Sequence, residues 1–156
     1  MGSGFSQRPD YVTATDSYQG LVEAQDMPTS RQITLEGDDL AMHSQAHAFV
    51  SVYFRFDNFS IDTAERPKLE QVQQHHAQNP QQRLLLVGHC DYHGTAEYNM
   101  VLGEKRAKST RDYLARLGLA PEQLQTLSRG SLDATFKNGT PSETAADRRV
   151  DVVFLK

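Results

Sequence analysis

Arg83-Leu84-Leu85-Leu86-Val87-Gly88-His89-Cys90-Asp91-Tyr92-His93-Gly94 is the stretch from which the rest of the chain is best read. The unbroken apolar run from Leu84 to Val87 follows the helix-ending pair Asn79-Pro80 and passes into a polar, glycine-flanked loop. That is the pattern of a short strand covered on both faces at the centre of a sheet. It is also the longest wholly apolar run, far short of the 18 or more residues, roughly, that a membrane-spanning helix needs. Loops at the carboxyl ends of such strands are where open α/β arrangements hold ligands, so residues 88–94 are the first candidates for function.

Upstream, Val50, Val52, Phe54 and Phe56 alternate with Ser51, Tyr53 and Arg55, which predicts a strand with those four apolar side chains on its buried face. Asp62 and Glu65 stand at capping-box spacing, and Leu69, Val72 and His76 share one helical face. The prediction is a helix over 63–78, with Pro67 tolerated in its first turn. Two strands joined by a helix imply a parallel crossover. Downstream, residues 104–117 carry Ala107, Thr110, Tyr113, Leu114 and Leu117 at spacings of three and four, with Gly103 read as the N-cap and Gly118 as a left-handed C-cap. Residues 124–128 read as a third strand, and Val150, Val152 and Phe154 alternate in a fourth, the stretch from Gly130 to Pro141 joining them. The order β-α-β-α-β-β predicts an α+β two-layer sandwich, a mixed sheet of about four strands with helices on one face.

The chain has 156 residues, 16 basic against 20 acidic, for a net charge of −4 and a pI near 5.8. There is no global basic field to neutralise phosphates, which argues against a nucleic-acid partner. At this length a core is large enough to hold the fold without disulfide or structural metal. One cysteine, Cys90, forms no intramolecular disulfide and leaves the redox compartment unread. Charge is uneven: residues 1–47 hold seven acids and two bases, a net −5, which leaves the remainder near +1. Residues 1–47 are therefore read as an acidic N-terminal tether, partly disordered, with 31–36 a candidate edge strand and 38–47 a candidate helical turn or two. Residues 48–156 are the expected folded domain. Met1-Gly2-Ser3-Gly4 reads as a leader standing in for a removed export segment.

Asp91 lies just past the central strand, and Arg106 lies in the first turn of the next helix if Gly103 caps it. An acid and a base about fifteen positions apart then face one hollow, suited to a ligand carrying one ammonium and one carboxylate. The plainer reading is a surface salt bridge worth about 0–1 kcal/mol.

Gly88-His89-Cys90-Asp91-x-x-Gly94, Tyr98-Asn99-x-x-Leu102-Gly103-x-x-Arg106-Ala107, Tyr113-Leu114 and Asp147-Arg148-Arg149-Val150 together resemble the OmpA-like peptidoglycan-binding domain, of which peptidoglycan-associated lipoproteins are members. The resemblance covers residues 50–155 or so. It implies a non-catalytic periplasmic module that binds the diaminopimelate stem peptide of peptidoglycan and anchors an outer-membrane protein or complex to the wall of a diderm bacterium. By motif position it implies that Asp91 takes the ligand ammonium and Arg106 its carboxylate, with supporting roles for Asn99 and Arg148. It implies no cofactor, and contact with the membrane only through a missing lipid anchor or a partner. Four departures accompany it: Cys90 where Thr is usual, Gly103 for a helix-capping Ser, Asp147 for Asn, and Arg55 in the Phe54-Arg55-Phe56-Asp57 strand where an acid is usual. Asp57 and Asp147 are candidate partners for Arg55. The alternative is a scaffold subunit of an envelope machine, such as a secretion or flagellar complex, with wall binding weak or lost.

His89, Cys90, Asp91 and His93, with His75-His76 nearby in sequence, include metal-ligand types but lack a second paired motif, so no metal is assigned. Cys90 beside two histidines lacks an orienting third group, and adjacent strand residues face apart, so no enzyme activity is expected. Gln73, Gln74, His75, His76 and Gln78 are read as a solvated helix face, and Lys105, Arg106, Lys108 and Arg111 as a basic stretch of helix that could draw in an anionic polymer.

Overall fold

The computed structural model describes residues 48–135 and 139–155. The candidate strand at 31–36, the turns at 38–47 and the tether lie outside the described residues. Strands β1 (Val50–Tyr53), β2 (Leu84–His89), β3 (Leu124–Gly130) and β4 (Arg149–Phe154) form one mixed sheet in the order β1-β4-β2-β3. Helix α1 (Arg66–Gln78) links β1 to β2, α2 (Ala96–Arg116) links β2 to β3, and a short α3 (Pro141–Ala145) precedes β4. The α+β sandwich expected from the pattern is the fold observed.

The crossover logic holds in direction but not in adjacency. β4 pairs antiparallel with both β1 and β2, so β1 and β2 run parallel with the C-terminal strand between them. The directly paired parallel strands are β2 and β3, with Leu84 opposite Leu124 and Val87 opposite Leu127. β2 is buried at every residue, as a central strand must be when both faces are covered. On the helix side, Leu84, Leu86, Val150, Val152 and Val52 pack with Leu69 and Val72 of α1 and Ala107 and Leu114 of α2. On the other side Leu85, Val87, Asp151 and Val153 are buried as well.

Several local expectations give way. The 63–78 helix begins as a 3-10 turn, Thr63–Glu65, before α1 proper, and Pro67 sits in the first turn where no intrahelical N–H is lost. The Asp62/Glu65 capping box does not form. Glu65 Oε1 instead accepts from the Tyr53 backbone N–H at 3.0 Å and from Lys68 Nζ at 2.8 Å, tying the helix start to the edge strand. Phe56 is not in the core: β1 ends at Tyr53, Phe54 is the last inward aromatic, and Asp57 takes a left-handed φ of 52°, which turns Phe56 out to 60% exposure. His76 is buried against the sheet side, not part of a solvated face.

The largest correction concerns α2, which starts at Ala96, not near residue 104. Its N-cap is Thr95, whose hydroxyl accepts from the Tyr98 N–H at 3.1 Å. Gly103 lies in the helix interior, stacked on Gly88 of β2: a Cβ on Gly88 would collide with the Gly103 carbonyl, and one on Gly103 would meet the Ser128 hydroxyl. The glycine that reads as a cap is there to let helix and strand backbones touch. Gly118, by contrast, does occupy the left-handed position past the helix end, at φ 110°.

Candidate functional site

Close approach of α2 to β2 brings the loop after β2 beneath the first turns of α2. There a cavity of about 460 Å³ opens, lined by Asp91, Asn99, Arg106 and Arg148 together with Phe56, Asp57, Cys90, His93 and Tyr98. All four residues singled out from sequence thus share one cavity. They reach it from four places: the β2 exit, the first and third turns of α2, and the residue before β4.

Their mutual contacts differ from a simple acid-base pair. Arg106 is fully buried, and it touches carbonyls: Nε donates to Asn58 O at 2.8 Å, Nη1 to His89 O at 3.0 Å and Nη2 to Arg55 O at 3.2 Å. Its guanidinium also lies over the Phe54 ring, 5.4 Å from the centroid. Burial pulls this group down from its ordinary value, and three charge-assisted hydrogen bonds compensate the lost hydration. Three of the guanidinium's five donors are so engaged, which leaves one N–H on each terminal nitrogen. Arg106 is therefore the floor of the cavity, and not a member of an exposed basic stretch with Lys105, Lys108 and Arg111.

Asp91 is 4% exposed. Its Oδ1 accepts from the His93 backbone N–H at 3.0 Å and from His93 Nδ1 at 3.1 Å, and its Oδ2 from Arg148 Nη1 at 3.3 Å. Arg148 is itself fixed by Nε donating to Phe54 O at 2.9 Å. The ion pair in the cavity is thus Asp91 with Arg148, and Arg106 supplies positive potential from below. Asn99 is buried and holds the loop: its Nδ2 donates to His93 O at 2.8 Å. Tyr98 donates its hydroxyl to Asp57, a hydrogen bond that ties the loop after β1 to the start of α2 and raises the phenol's pKa.

The four departures acquire physical content. Burial pushes the Cys90 thiol up to about 12, and its Sγ donates to Asn99 O at 3.3 Å, the geometry of a small core hydroxyl mimic. A thiol in that state is a poor nucleophile at neutral pH. Asp147 accepts from the Thr135 N–H through both oxygens, at 3.2 and 3.1 Å, anchoring the segment before α3. Arg55 pairs with neither Asp57 nor Asp147 but with Asp62, at 3.1 Å on the surface. His89 points to the opposite sheet face, so the His89-Cys90-Asp91-His93 group is divided between two sides. Among the described residues no set of three or more His, Cys, Asp or Glu side chains is placed to hold a metal ion.

Sequence reasoning weighed Asp57 only as a partner for Arg55 and His93 as a metal-ligand type, and gave neither a place in the cavity. The second was legible in principle, since Asp-x-His after a strand is a natural Asx turn. The first depends on a left-handed backbone that no sequence pattern announces.

The family model described as OmpA family matches residues 53–148, well over half of the chain. The chain belongs to the OmpA family. It is 33% identical over 116 residues to the peptidoglycan-associated lipoprotein of Pseudomonas aeruginosa, covering 72% of this chain and 67% of that one. It is 34% identical over 103 residues to outer membrane protein A of Bordetella avium, 66% of this chain and 53% of that one. Against the peptidoglycan-associated lipoprotein of Buchnera aphidicola it is 30% identical over 104 residues, 67% of this chain and 60% of that one. The chain thus spans between half and about two thirds of the length of these relatives. Among solved structures, the peptidoglycan-associated lipoprotein of Burkholderia pseudomallei superposes with a TM-score of 0.65 at 34% identity, over 73% of this chain and 96% of that one. The C-terminal domain of Helicobacter pylori MotB shares the fold, with a TM-score of 0.60 at 19% identity over 69% of this chain and 85% of that one. In this OmpA-family domain, residues 53–148 take in the whole cavity.

Proposed function

We propose that this OmpA-family domain is a non-catalytic, periplasmic peptidoglycan-binding module that grips the free amino-acid end of a diaminopimelate stem peptide. On this reading it anchors an outer-membrane protein or complex to the wall, with residues 1–47 as the tether and residues 48–156 as the binding domain. The observation that carries the proposal is the cavity in which one carboxylate, Asp91, stands beside two guanidinium groups, Arg106 and Arg148. A zwitterionic amino-acid terminus presents an ammonium to Asp91 and a carboxylate to the unengaged guanidinium N–H bonds, and a fork of N–H donors matches a carboxylate better than a lysine would. The names of the relatives from Pseudomonas and Buchnera, peptidoglycan-associated lipoproteins, support peptidoglycan as the polymer bound.

The test is co-sedimentation of purified protein with isolated diaminopimelate-type sacculi, beside Asp91→Ala and Arg106→Ala. Because Arg106 ties three carbonyls together, Arg148→Ala is included as a variant less demanding on the fold, and circular dichroism checks each. Pelleting of the parent with loss in Asp91→Ala and Arg148→Ala is the expected result. Failure of the parent to pellet, together with co-purification in a large envelope assembly, would favour a scaffold subunit instead.

A further inference from the structure

The Asp91 carboxylate meets its ligand already occupied, and the occupant is a residue of its own loop. Oδ1 accepts two hydrogen bonds, both from His93, at 3.0 and 3.1 Å, whereas Oδ2 accepts one, from Arg148, at 3.3 Å. An ionised carboxylate offers about four acceptor positions. On Oδ1 neither position is open and on Oδ2 one is, so a ligand ammonium that bridges both oxygens must displace a donor from Oδ1.

The two His93 donors are not equivalent. The backbone N–H closes an Asx turn and is built into the chain path between Asp91 and Gly94, whose φ of 88° completes the turn. The imidazole is 45% exposed, against 5% for the Asp91 side chain it caps. It is held otherwise by ring contacts: Tyr92 stacked at 4.2 Å and Phe56 edge-on at 5.3 Å. Phe56 is itself 60% exposed. A half-exposed donor exchanges its acceptor for water at little cost, and the ring can leave while the backbone N–H and Arg148 continue to orient the carboxylate. The remaining charged groups of the cavity, Asp57 and Arg106, make their contacts elsewhere, with Tyr98 and with backbone carbonyls.

We infer that the His93 imidazole is a built-in competitor for the cationic group of the ligand: it fills the ammonium position on Asp91 in the free domain and is displaced by the ligand. The inference rests on the proposed amino-acid-binding role of the cavity. His93 is then an affinity-setting residue that acts through Asp91, and its removal should tighten binding, the opposite of what a supporting contact would do.

The experiment is calorimetric titration of the full chain with the soluble tripeptide L-Ala-D-Glu-meso-diaminopimelate, comparing the parent, His93→Phe and His93→Asn. Phe keeps the ring contacts with Tyr92 and Phe56 and removes the donor; Asn keeps a donor at the position of Nδ1. The expected result is affinity raised about three- to tenfold in His93→Phe, the worth of one exposed charge-assisted hydrogen bond, and unchanged within about twofold in His93→Asn. Measurable binding by the parent with equal or weaker binding by His93→Phe would overturn the competitor and leave the site reading standing. Absence of binding by the parent to both tripeptide and sacculi would overturn the two together.

Discussion

Two buried charge clusters sit on opposite faces of the same sheet, one or two residue steps apart in sequence, and their surroundings differ. Towards the helices, Asp91 and Arg148 face a cavity, and an acceptor position on Asp91 Oδ2 and two N–H bonds on Arg106 are left over. Away from the helices, Asp151 is fully buried: its Oδ1 accepts from Ser51 Oγ at 2.7 Å and Arg149 Nε at 2.9 Å, and His89 Nε2 approaches Oδ2 at 3.3 Å. Arg148 and Arg149, adjacent in sequence, are divided between them because successive side chains along a strand face apart, whereas Asp91 is divided from His89, two positions earlier, because the chain leaves β2 at His89. The difference teaches that a motif rich in charge need not be one site. Here half of it is buried within the sheet and half lines a cavity.

The largest expected effect is on stability. Asp151→Ala leaves Arg149 and His89 facing an empty buried site and should cost about 3–5 kcal/mol, read as a fall in the urea midpoint with unchanged slope. Asp91→Ala should instead cost about 2–5 kcal/mol of ligand binding while moving the urea midpoint far less, since its partner Arg148 keeps the Phe54 carbonyl and its own access to water. Equal stability losses in both variants would erase the distinction between the clusters.

What could be read ahead of the structure, and what could not, follows the same division. The β2 run, the alternation of β4 and the Gly118 cap were legible because each is a local rule with one outcome. Gly103 misled because glycine serves both helix ends and close backbone contacts, and only the three-dimensional approach to Gly88 decides between them. Asp91 and Arg106 share one cavity as their spacing suggested, and the Asn99 and Arg148 that the family resemblance implied join them there, but the direct partner of Asp91 is Arg148, not Arg106. The contact crosses 57 positions in sequence, and no local rule reaches that far. The capping box failed because its glutamate found a strand N–H to satisfy.

The next effect sharpens the comparison through packing. Gly103→Ser should destabilise by about 1–3 kcal/mol by crowding Ser128 and the Gly88 carbonyl, and Ser128→Ala should recover part of that in the double variant. Were Gly103 a helix cap, the same change would stabilise slightly, and thermal melting tells the two apart.

A smaller effect concerns pH. Burial raises the Asp151 carboxyl, but the His89 ring, the Arg149 guanidinium and the Ser51 hydroxyl more than offset it, holding the group below its ordinary range. A depressed folded value means that the contribution is complete above the unfolded value of about 4 and is lost as the pH falls through the lower folded one. Asp151→Asn should therefore flatten the acid limb of the stability profile below about pH 4. The smallest effect is on Cys90. With its thiol pushed up to about 12, it should resist alkylation at pH 8 in the folded domain and react on unfolding, at a rate set by global opening.

The most direct measurement of the central claim is a backbone amide NMR titration of the domain with the diaminopimelate tripeptide. Shifts centred on Asp91, His93, Asn99, Arg106 and Arg148, with His89, Arg149 and Asp151 changing least, are the expected result. Shifts centred on the Asp151 face or on the Arg55–Asp62 surface pair, or none at saturating tripeptide, would contradict it.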